Sequence, residues 1–253
     1  MTRVLLPAFL LMTFVATGCT DPDIALSGKR EPVTAILTDG GATLEAPQEN
    51  QAKAFDAPAQ KNNRSWPQGH GTPKTRATHP ALAASISKSW SAPIGQGDRQ
   101  RARISADPIV VDGMIVTLDS RSVLVAPSAA GARLWSLDLT PAGEQSGEAD
   151  GGGLASGGGR IYVTTGYGEM VAVDPKTGKK IWSQLLMALA AGRPAYSNGL
   201  VYVVSGGATS WAVEADNGRV RWQIDGLSDL NMRRGSTGPA VSDKLVLFGY
   251  GSG

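Results

Sequence analysis

The sequence is poor in the side chains that build disulfides and most metal centres. It contains one cysteine, Cys19, and two histidines, His70 and His79. A single cysteine excludes an intramolecular disulfide, and neither histidine has a cysteine or carboxylate at the spacing of a zinc site. Acidic residues such as Asp112 and Asp174 stand singly at predicted turns, where they usually form hydrogen bonds within the turn. The sequence therefore predicts no metal site and no bound cofactor.

The net charge of the chain is also small. The formal net charge is +2, and no stripe of Lys and Arg with interleaved aromatic residues occurs. We therefore expect no nucleic-acid partner, because proteins that bind nucleic acid present a basic surface to the phosphates. The sequence has no nucleophile elbow and no phosphate-binding loop either. It predicts no catalytic residue and no small-molecule substrate.

The N-terminal apolar run, residues 4–16, is too short to cross a bilayer, because a spanning helix needs about 20 residues. A short run after a basic start is typical of a secretory signal peptide. Small residues at 16–18 precede Cys19, and this arrangement resembles the lipobox of bacterial lipoproteins. The resemblance implies a signal peptide over residues 1–18, a lipid anchor on Cys19 and, since Thr20 is not Asp, delivery to the outer membrane. The alternative is an ordinary signal peptide in which Cys19 has no role.

The next segment, residues 19–80, is polar and rich in proline. It cannot bury enough apolar surface to offset the entropy of ordering the chain, so we expect a flexible tether. Two parts of it, residues 28–33 and 66–70, have a less random pattern. Either is a candidate for docking on the folded part.

Glycine is abundant, and beyond residue 100 it takes part in a repeat. A glycine precedes a tryptophan by four positions in three segments, which contain Gly131 and Trp135, Gly178 and Trp182, and Gly218 and Trp222. The tryptophans recur at intervals of 47 and 40 residues, and a fourth copy begins near residue 237. Periods of this size are typical of propeller blades and other repeat arrays.

Each repeat has the pattern of four short strands. Asp112-Gly113 and Asn198-Gly199 stand between apolar runs, as the left-handed residues of hairpin turns do. Runs that are apolar at every position, such as residues 201–204, indicate strands buried on both faces. A tryptophan placed once per period then indicates a wedge between adjacent blades, because one blade cannot bury its faces alone.

The sequence therefore predicts an all-β fold, a partial β-propeller of four-stranded antiparallel blades. We place it at residues 81–253, with a closing strand near Trp90. The predicted blades are about residues 106–139, 151–187 and 190–227, followed by the start of a fourth at 237–253.

The frame Ala-Val-Asp-x-x-Thr-Gly-Lys-x-x-Trp at residues 172–182 resembles the tryptophan-docking repeat of quinoprotein dehydrogenases and their non-enzymatic relatives. Together with the lipobox and tether, it is most similar to the BamB family of propeller lipoproteins in the outer-membrane β-barrel assembly machinery. The resemblance implies an eight-bladed parent fold. We therefore expect a C-terminally truncated sequence that carries about three complete blades.

The same resemblance implies a function. Members of this family are non-enzymatic scaffolds that face the periplasm and bind a BamA-type core subunit, so we expect the chain not to be an enzyme. Their contact loop carries Leu-x-Leu-Arg before a blade, and Leu230, Met232 and Arg233 occupy the equivalent place here, with Met in place of the second Leu. An ordinary solvated loop is the alternative for these three residues.

Two other functions remain open for the whole chain. One is a fragment of a PQQ-dependent periplasmic dehydrogenase, although such enzymes usually hold a vicinal Cys pair against the cofactor and this sequence supplies none. The other is a periplasmic binding or sensor propeller with an unrelated partner.

Overall fold

A computed structural model describes residues 56–74, 79–100, 102–188, 192–227 and 238–250. The predictions for the signal peptide, Cys19, Leu230, Met232 and Arg233 lie outside these residues. Within them the secondary structure consists of strands and turns without a helix, so none offers a helical membrane span.

Twelve of the strands form three four-stranded antiparallel sheets in which sequence order is spatial order. Blade 1 contains β1 (Ile109–Val111), β2 (Met114–Leu118), β3 (Val123–Pro127) and β4 (Arg133–Asp138). Blade 2 contains β5 (Gly152–Gly157), β6 (Arg160–Thr165), β7 (Glu169–Val173) and β8 (Lys180–Leu185). Blade 3 contains β9 (Ala195–Ser197), β10 (Leu200–Val204), β11 (Thr209–Glu214) and β12 (Val220–Asp225). A two-stranded sheet of β13 (Ala240–Val241) and β14 (Val246–Leu247) begins the fourth copy.

The hairpins between the first two strands of each blade turn on two left-handed residues. Asp112 and Gly113 have φ angles of 49° and 75°, and Asn198 and Gly199 have φ angles of 49° and 78°. Two consecutive positive φ angles are the mark of the type I′ turn, whose twist matches that of the paired strands. The hairpins predicted from Asp-Gly and Asn-Gly are therefore confirmed.

The middle strands of blade 2 bury both of their faces. Ile161 and Val163 of β6 pack in a cluster with blade 1, whereas Tyr162 between them packs in a cluster with blade 3. Because successive side chains of a strand point to opposite faces, only a strand between two neighbouring sheets can be apolar at every position. This confirms the interpretation of the continuous apolar runs.

The blades are arranged around their first strands. β1 contacts β5, β5 contacts β9, and β9 contacts β13. The first strand of each blade is therefore the innermost, and the fourth strand, which carries the repeat tryptophan, is the outermost. Sheets of this topology packed face to face around an axis confirm the predicted all-β propeller fold.

Two features differ from the expectations. Residues 81–90 form no strand, although the sequence predicted a closing strand near Trp90. A strand needs a neighbour with which its backbone pairs, and none of the described strands pairs with this segment. Within the predicted tether, residues 66–70 were a candidate for docking on the folded part, and Trp66 and Pro67 form backbone hydrogen bonds with blades 1 and 2. The pairing extends beyond that candidate, because Pro73 accepts a hydrogen bond from the fourth copy.

Candidate functional site

The repeat tryptophans join each blade to the next. The indole Nε1 of Trp135, on β4, donates a hydrogen bond of 2.8 Å to the carbonyl oxygen of Pro175 in blade 2. The indole Nε1 of Trp182, on β8, donates one of 3.0 Å to the carbonyl oxygen of Ala215 in blade 3. Both indoles therefore satisfy their one polar group in the neighbouring blade while their rings cover its turn.

The repeat glycines are the surfaces on which these indoles lie. A Cβ atom at Gly178 would come within 2.6 Å of the Trp135 ring, and one at Gly218 within 2.7 Å of the Trp182 ring. Both glycines also have left-handed φ angles, 68° and 77°. The residue must therefore be glycine for two reasons, backbone conformation and close approach of the ring.

A tryptophan also packs on the repeat glycine of blade 1, whereas a contact between two aromatic rings joins blade 3 to the fourth copy. A Cβ atom at Gly131 would come within 2.8 Å of the Trp90 ring, so Trp90 docks on blade 1 as Trp135 and Trp182 dock on the blades that follow them. Trp222, on β12, lies 6.0 Å from the ring of Phe248 in an edge-to-face arrangement. Phe248 follows β14, so aromatic packing joins blade 3 to the fourth copy.

The predicted partner-binding residues belong to the connection between blade 3 and the fourth copy. Because all strands are antiparallel in sequence order, the connections between blades and the turns between second and third strands emerge at one end of the sheets. We call this end the loop face. The described flanks of the predicted partner loop are Leu227 after β12 and Gly238 before β13.

Four exposed apolar side chains lie where the outermost strands of blades 2 and 3 end at the loop face. Met187 and Leu227 are each 80% exposed, and they stand five residues after Trp182 and Trp222. The other two are Leu185 and Ile224, at the ends of β8 and β12, which are 53% and 58% exposed. We call these four residues the outer-rim patch. Sequence analysis missed it, although the common spacing of Met187 and Leu227 from the tryptophans was a signal that could have identified those two residues.

A cavity of about 310 Å³ opens at the start of blade 3, between residues 68–74 and the first residues of the fourth copy. Arg193 forms an ion pair with Asp107, and its Nη2 lies 3.4 Å from His70 Nε2. Lys74 at the other side forms an ion pair with Asp243. The two cationic side chains of the cavity are therefore already neutralised by carboxylates.

Asp174 forms hydrogen bonds within its turn, as the sequence analysis expected. The carboxylate of Asp174 accepts hydrogen bonds from the backbone N–H groups of Lys176 and Thr177, at 2.7 and 3.3 Å. These bonds, mainly that from Lys176, lower the pKa of Asp174. In the described part of the chain, no three His, Cys, Asp or Glu residues lie close enough together to hold a metal ion.

Asp119 is a buried carboxylate that the sequence analysis did not single out. Its Oδ1 accepts hydrogen bonds of 2.8 Å from the backbone N–H groups of Arg121 and Val123, which closes the turn between β2 and β3. Its Oδ2 accepts one of 2.8 Å from the backbone N–H of Gln96. Asp119 thus fixes the segment that follows Trp90 to the loop face of blade 1. Its position in a turn gave no signal that a distant partner existed.

The chain matches the model of a protein family over residues 120–253, which is more than half of its length. This is a family of PQQ-like repeats, and its description is "Outer membrane protein assembly factor BamB". The match includes the glycine and tryptophan frames of all three blades.

Curated relatives come from both branches of the fold. The chain is 35% identical over 137 residues to quinohemoprotein alcohol dehydrogenase ADH IIB of Pseudomonas putida, a match that covers 48% of this chain and 20% of that protein. It is 23% identical over 175 residues to the outer membrane protein assembly factor BamB of Yersinia pestis, covering 67% and 44%. The chain thus spans about a fifth of the enzyme and less than half of the assembly factor.

Among solved structures, the quinohemoprotein alcohol dehydrogenase of Comamonas testosteroni is similar with a TM-score of 0.50. The sequences are 22% identical, and the superposition covers 66% of this chain and 28% of the enzyme. This likeness supports the propeller fold.

Proposed function

Since the chain belongs to the family of PQQ-like β-propeller repeat proteins, we propose that it is a non-enzymatic scaffold lipoprotein that binds a BamA-type subunit of the outer-membrane assembly machinery. In this role it aids the insertion of outer-membrane proteins. Cys19 anchors it by lipid to the outer membrane, and the propeller faces the periplasm. The lipobox-like residues 16–18 before Cys19 support this location.

The observation that carries the proposal is the outer-rim patch, one residue of which, Leu227, directly precedes the predicted partner loop in the sequence. Leu227, 80% exposed, lies only three residues before Leu230. The patch and the loop therefore start from the same end of β12. Large apolar side chains that are left exposed near one another often mark an interaction surface, and Met is enriched at such surfaces.

The predicted partner loop also contains a charged residue, Arg233. We propose that Leu230 and Met232 extend the apolar patch, and that Arg233 donates several hydrogen bonds to acidic or carbonyl groups of the partner. Arg is enriched among the residues that dominate binding energy, because its planar group makes several bonds at once. Apolar anchors beside one arginine fit a protein surface better than they fit a small polar substrate.

The experiment is capture of the BamA-type protein from solubilised outer membranes by the tagged chain. Two variants remove the proposed surface: Met187→Ser with Leu227→Ser, and Arg233→Glu. Each should reduce capture about tenfold or more, because interface anchors contribute about 1–2 kcal/mol or more each. The matched control is Leu134→Ser, a 56% exposed apolar residue near the other end of an outermost strand, which should leave capture unchanged.

The outcomes distinguish an error in the proposed surface from an error in the proposed partner. Capture by the wild type that neither variant weakens would contradict the surface but leave the partner in place. No capture of a BamA-type protein by the wild type would contradict the function, and a different captured protein would favour a periplasmic binding or sensor module.

A quinone-dependent dehydrogenase is the second candidate, favoured by the 35% identity to a quinohemoprotein alcohol dehydrogenase. It is tested by adding PQQ with Ca²⁺ to the purified chain and recording the quinone absorbance and fluorescence. Saturable binding together with alcohol-dependent dye reduction would support the enzyme. The scaffold proposal predicts neither signal.

A further inference from the structure

The inner edges of the first strands are covered by a segment that precedes all the blades. Trp66 exchanges two backbone hydrogen bonds with Val110 of β1: the Trp66 N–H donates at 3.1 Å, and the Trp66 carbonyl accepts at 2.9 Å. β1 already pairs with β2 on its other side. Trp66 therefore occupies the edge of blade 1 that faces the axis.

The following residues reach blade 2 and then the fourth copy. The carbonyl of Pro67 accepts a hydrogen bond of 2.7 Å from the N–H of Ser156, and Gln68 forms an antiparallel bridge with Ala155. Both partners belong to β5. The carbonyl of Pro73 then accepts a hydrogen bond of 3.0 Å from the N–H of Val241 in β13.

One turn of this segment fits closely around a partly exposed ion pair. Arg193, before β9, pairs with Asp107, before β1, and so connects the start of blade 3 with the start of blade 1. Any Cβ atom at Gly69 would collide with both charged groups, and a Cβ atom at Gly153 would come within 2.5 Å of Arg193 Cγ. The two glycines leave the space through which the arginine side chain passes.

We propose that residues 66–73 form an axial strap, an extended segment that adds in cis to the inner edges of blades 1 and 2 and of the fourth copy. The edge of a sheet presents unpaired N–H and C=O groups that accept another extended chain. The strap satisfies some of these groups and connects blade 1, blade 2 and the fourth copy at the axis. Any extended peptide or axial ligand that needs these edges must first displace it. This inference does not depend on the proposed partner.

The first test is a cross-link between the strap and blade 2. Gln68 and Ala155 form a bridge in which the flanking residues, not the pair itself, exchange the hydrogen bond. The Cα atoms of such pairs are about 4.5 Å apart, within the range of about 4.4–6.8 Å for disulfides. In full-length protein with Cys19→Ser, the pair Gln68→Cys with Ala155→Cys should oxidise to an intramolecular disulfide at least about tenfold more than the control pair.

The control pair is Gln68→Cys with Ser136→Cys, where Ser136 lies on the outermost strand β4 of blade 1. Equal disulfide yields in the two pairs would overturn the strap, whether or not the protein remains folded in other respects.

The second test is amide hydrogen exchange, which needs no cysteine. Gly69→Val should speed exchange at Val110, Ser156 and Val241 about tenfold or more by opening the strap. The control is Gly97→Val, because a Cβ atom there meets nothing within 4 Å. Local loss of protection at the three amides with an unchanged Trp211 amide supports the strap, and unchanged exchange at all three overturns it. If Gly69→Val also unprotects Trp211, the blades have unfolded and the cross-link yield decides.

Discussion

At the scale of single residues, the tightest requirement is that a glycine receive the tryptophan of the preceding blade. Gly178 and Gly218 lie against Trp135 and Trp182, closer than any Cβ atom would allow. The spacing of glycine and tryptophan could be read from the sequence. The partner of each tryptophan could not, because the glycine of its own frame lies in the same blade and the contact is made with the next.

The contribution of this contact to stability can be measured with two glycines of blade 3 that share a backbone conformation. Gly218 and Gly199 have φ angles of 77° and 78°, but a Cβ atom at Gly199 meets nothing within 4 Å. Gly199→Ala should lower the free energy of unfolding by about 1 kcal/mol, the cost of left-handed alanine. Gly218→Ala should lower it by about 3 kcal/mol, because the methyl group also displaces the Trp182 ring. Denaturant unfolding measures both, and equal losses would contradict the docking role of Gly218.

Tyr162 provides a pH-dependent test of burial between blades 2 and 3. Burial raises the pKa of the Tyr162 phenol from 10.0 to about 12. Below pH 10 the phenol is protonated in both the folded and the unfolded chain, so its contribution to stability is constant. Between pH 10 and 12 only the unfolded chain ionises, so the free energy of unfolding should fall as pH rises, by up to about 2 kcal/mol.

The Tyr162→Phe variant removes this contribution. Denaturant unfolding of both proteins at pH 9 and pH 11.5 isolates it, because the other tyrosines are common to the two. The loss of stability should be smaller in the variant than in the wild type. An identical loss would place the phenol in solvent.

At the scale of structural elements, the strands and hairpins were predictable because each depends on its own residues. Continuous apolar runs gave the inner strands, and Asp-Gly and Asn-Gly gave the first hairpin of blades 1 and 3. Elements that depend on distant partners were not predictable. The closing strand near Trp90 was expected and is not a strand, and the docking candidate at residues 66–70 was named without its partners, which are β1 and β5.

The turn between β2 and β3 shows how a distant partner can be tested. Asp119 accepts hydrogen bonds from two N–H groups of its own turn and from that of Gln96. Asp119→Ala leaves these donors unpaired and should lower the free energy of unfolding by about 3 kcal/mol. Hydrogen exchange at Gln96 and Val123 should rise with it.

The control for this element is Asp138→Ala. Asp138 is exposed and accepts one hydrogen bond of 2.9 Å, from the N–H of Thr140. We expect this substitution to lower the free energy of unfolding by about 0.5 kcal/mol. Similar losses in the two variants would mean that Asp119 does not hold the Gln96 segment to blade 1.

At the scale of the whole molecule, the hydrophobic core is formed between neighbouring blades. One cluster joins blades 1 and 2, a second joins blades 2 and 3, and a third joins blade 3 to the fourth copy. Stability in such arrays is the sum of repeat and interface contributions. The repeat frame in the sequence was therefore sufficient to predict the architecture. It was not sufficient to predict the outer-rim patch, which depends on which side chains the interfaces leave uncovered.

We propose that this propeller binds a protein and not a quinone. The most direct measurement is isothermal titration calorimetry of the purified chain, first with the soluble periplasmic region of a BamA-type protein and then with PQQ and Ca²⁺. We expect saturable binding of the protein and no binding heat with the quinone. Saturable quinone binding without binding of the protein would contradict it.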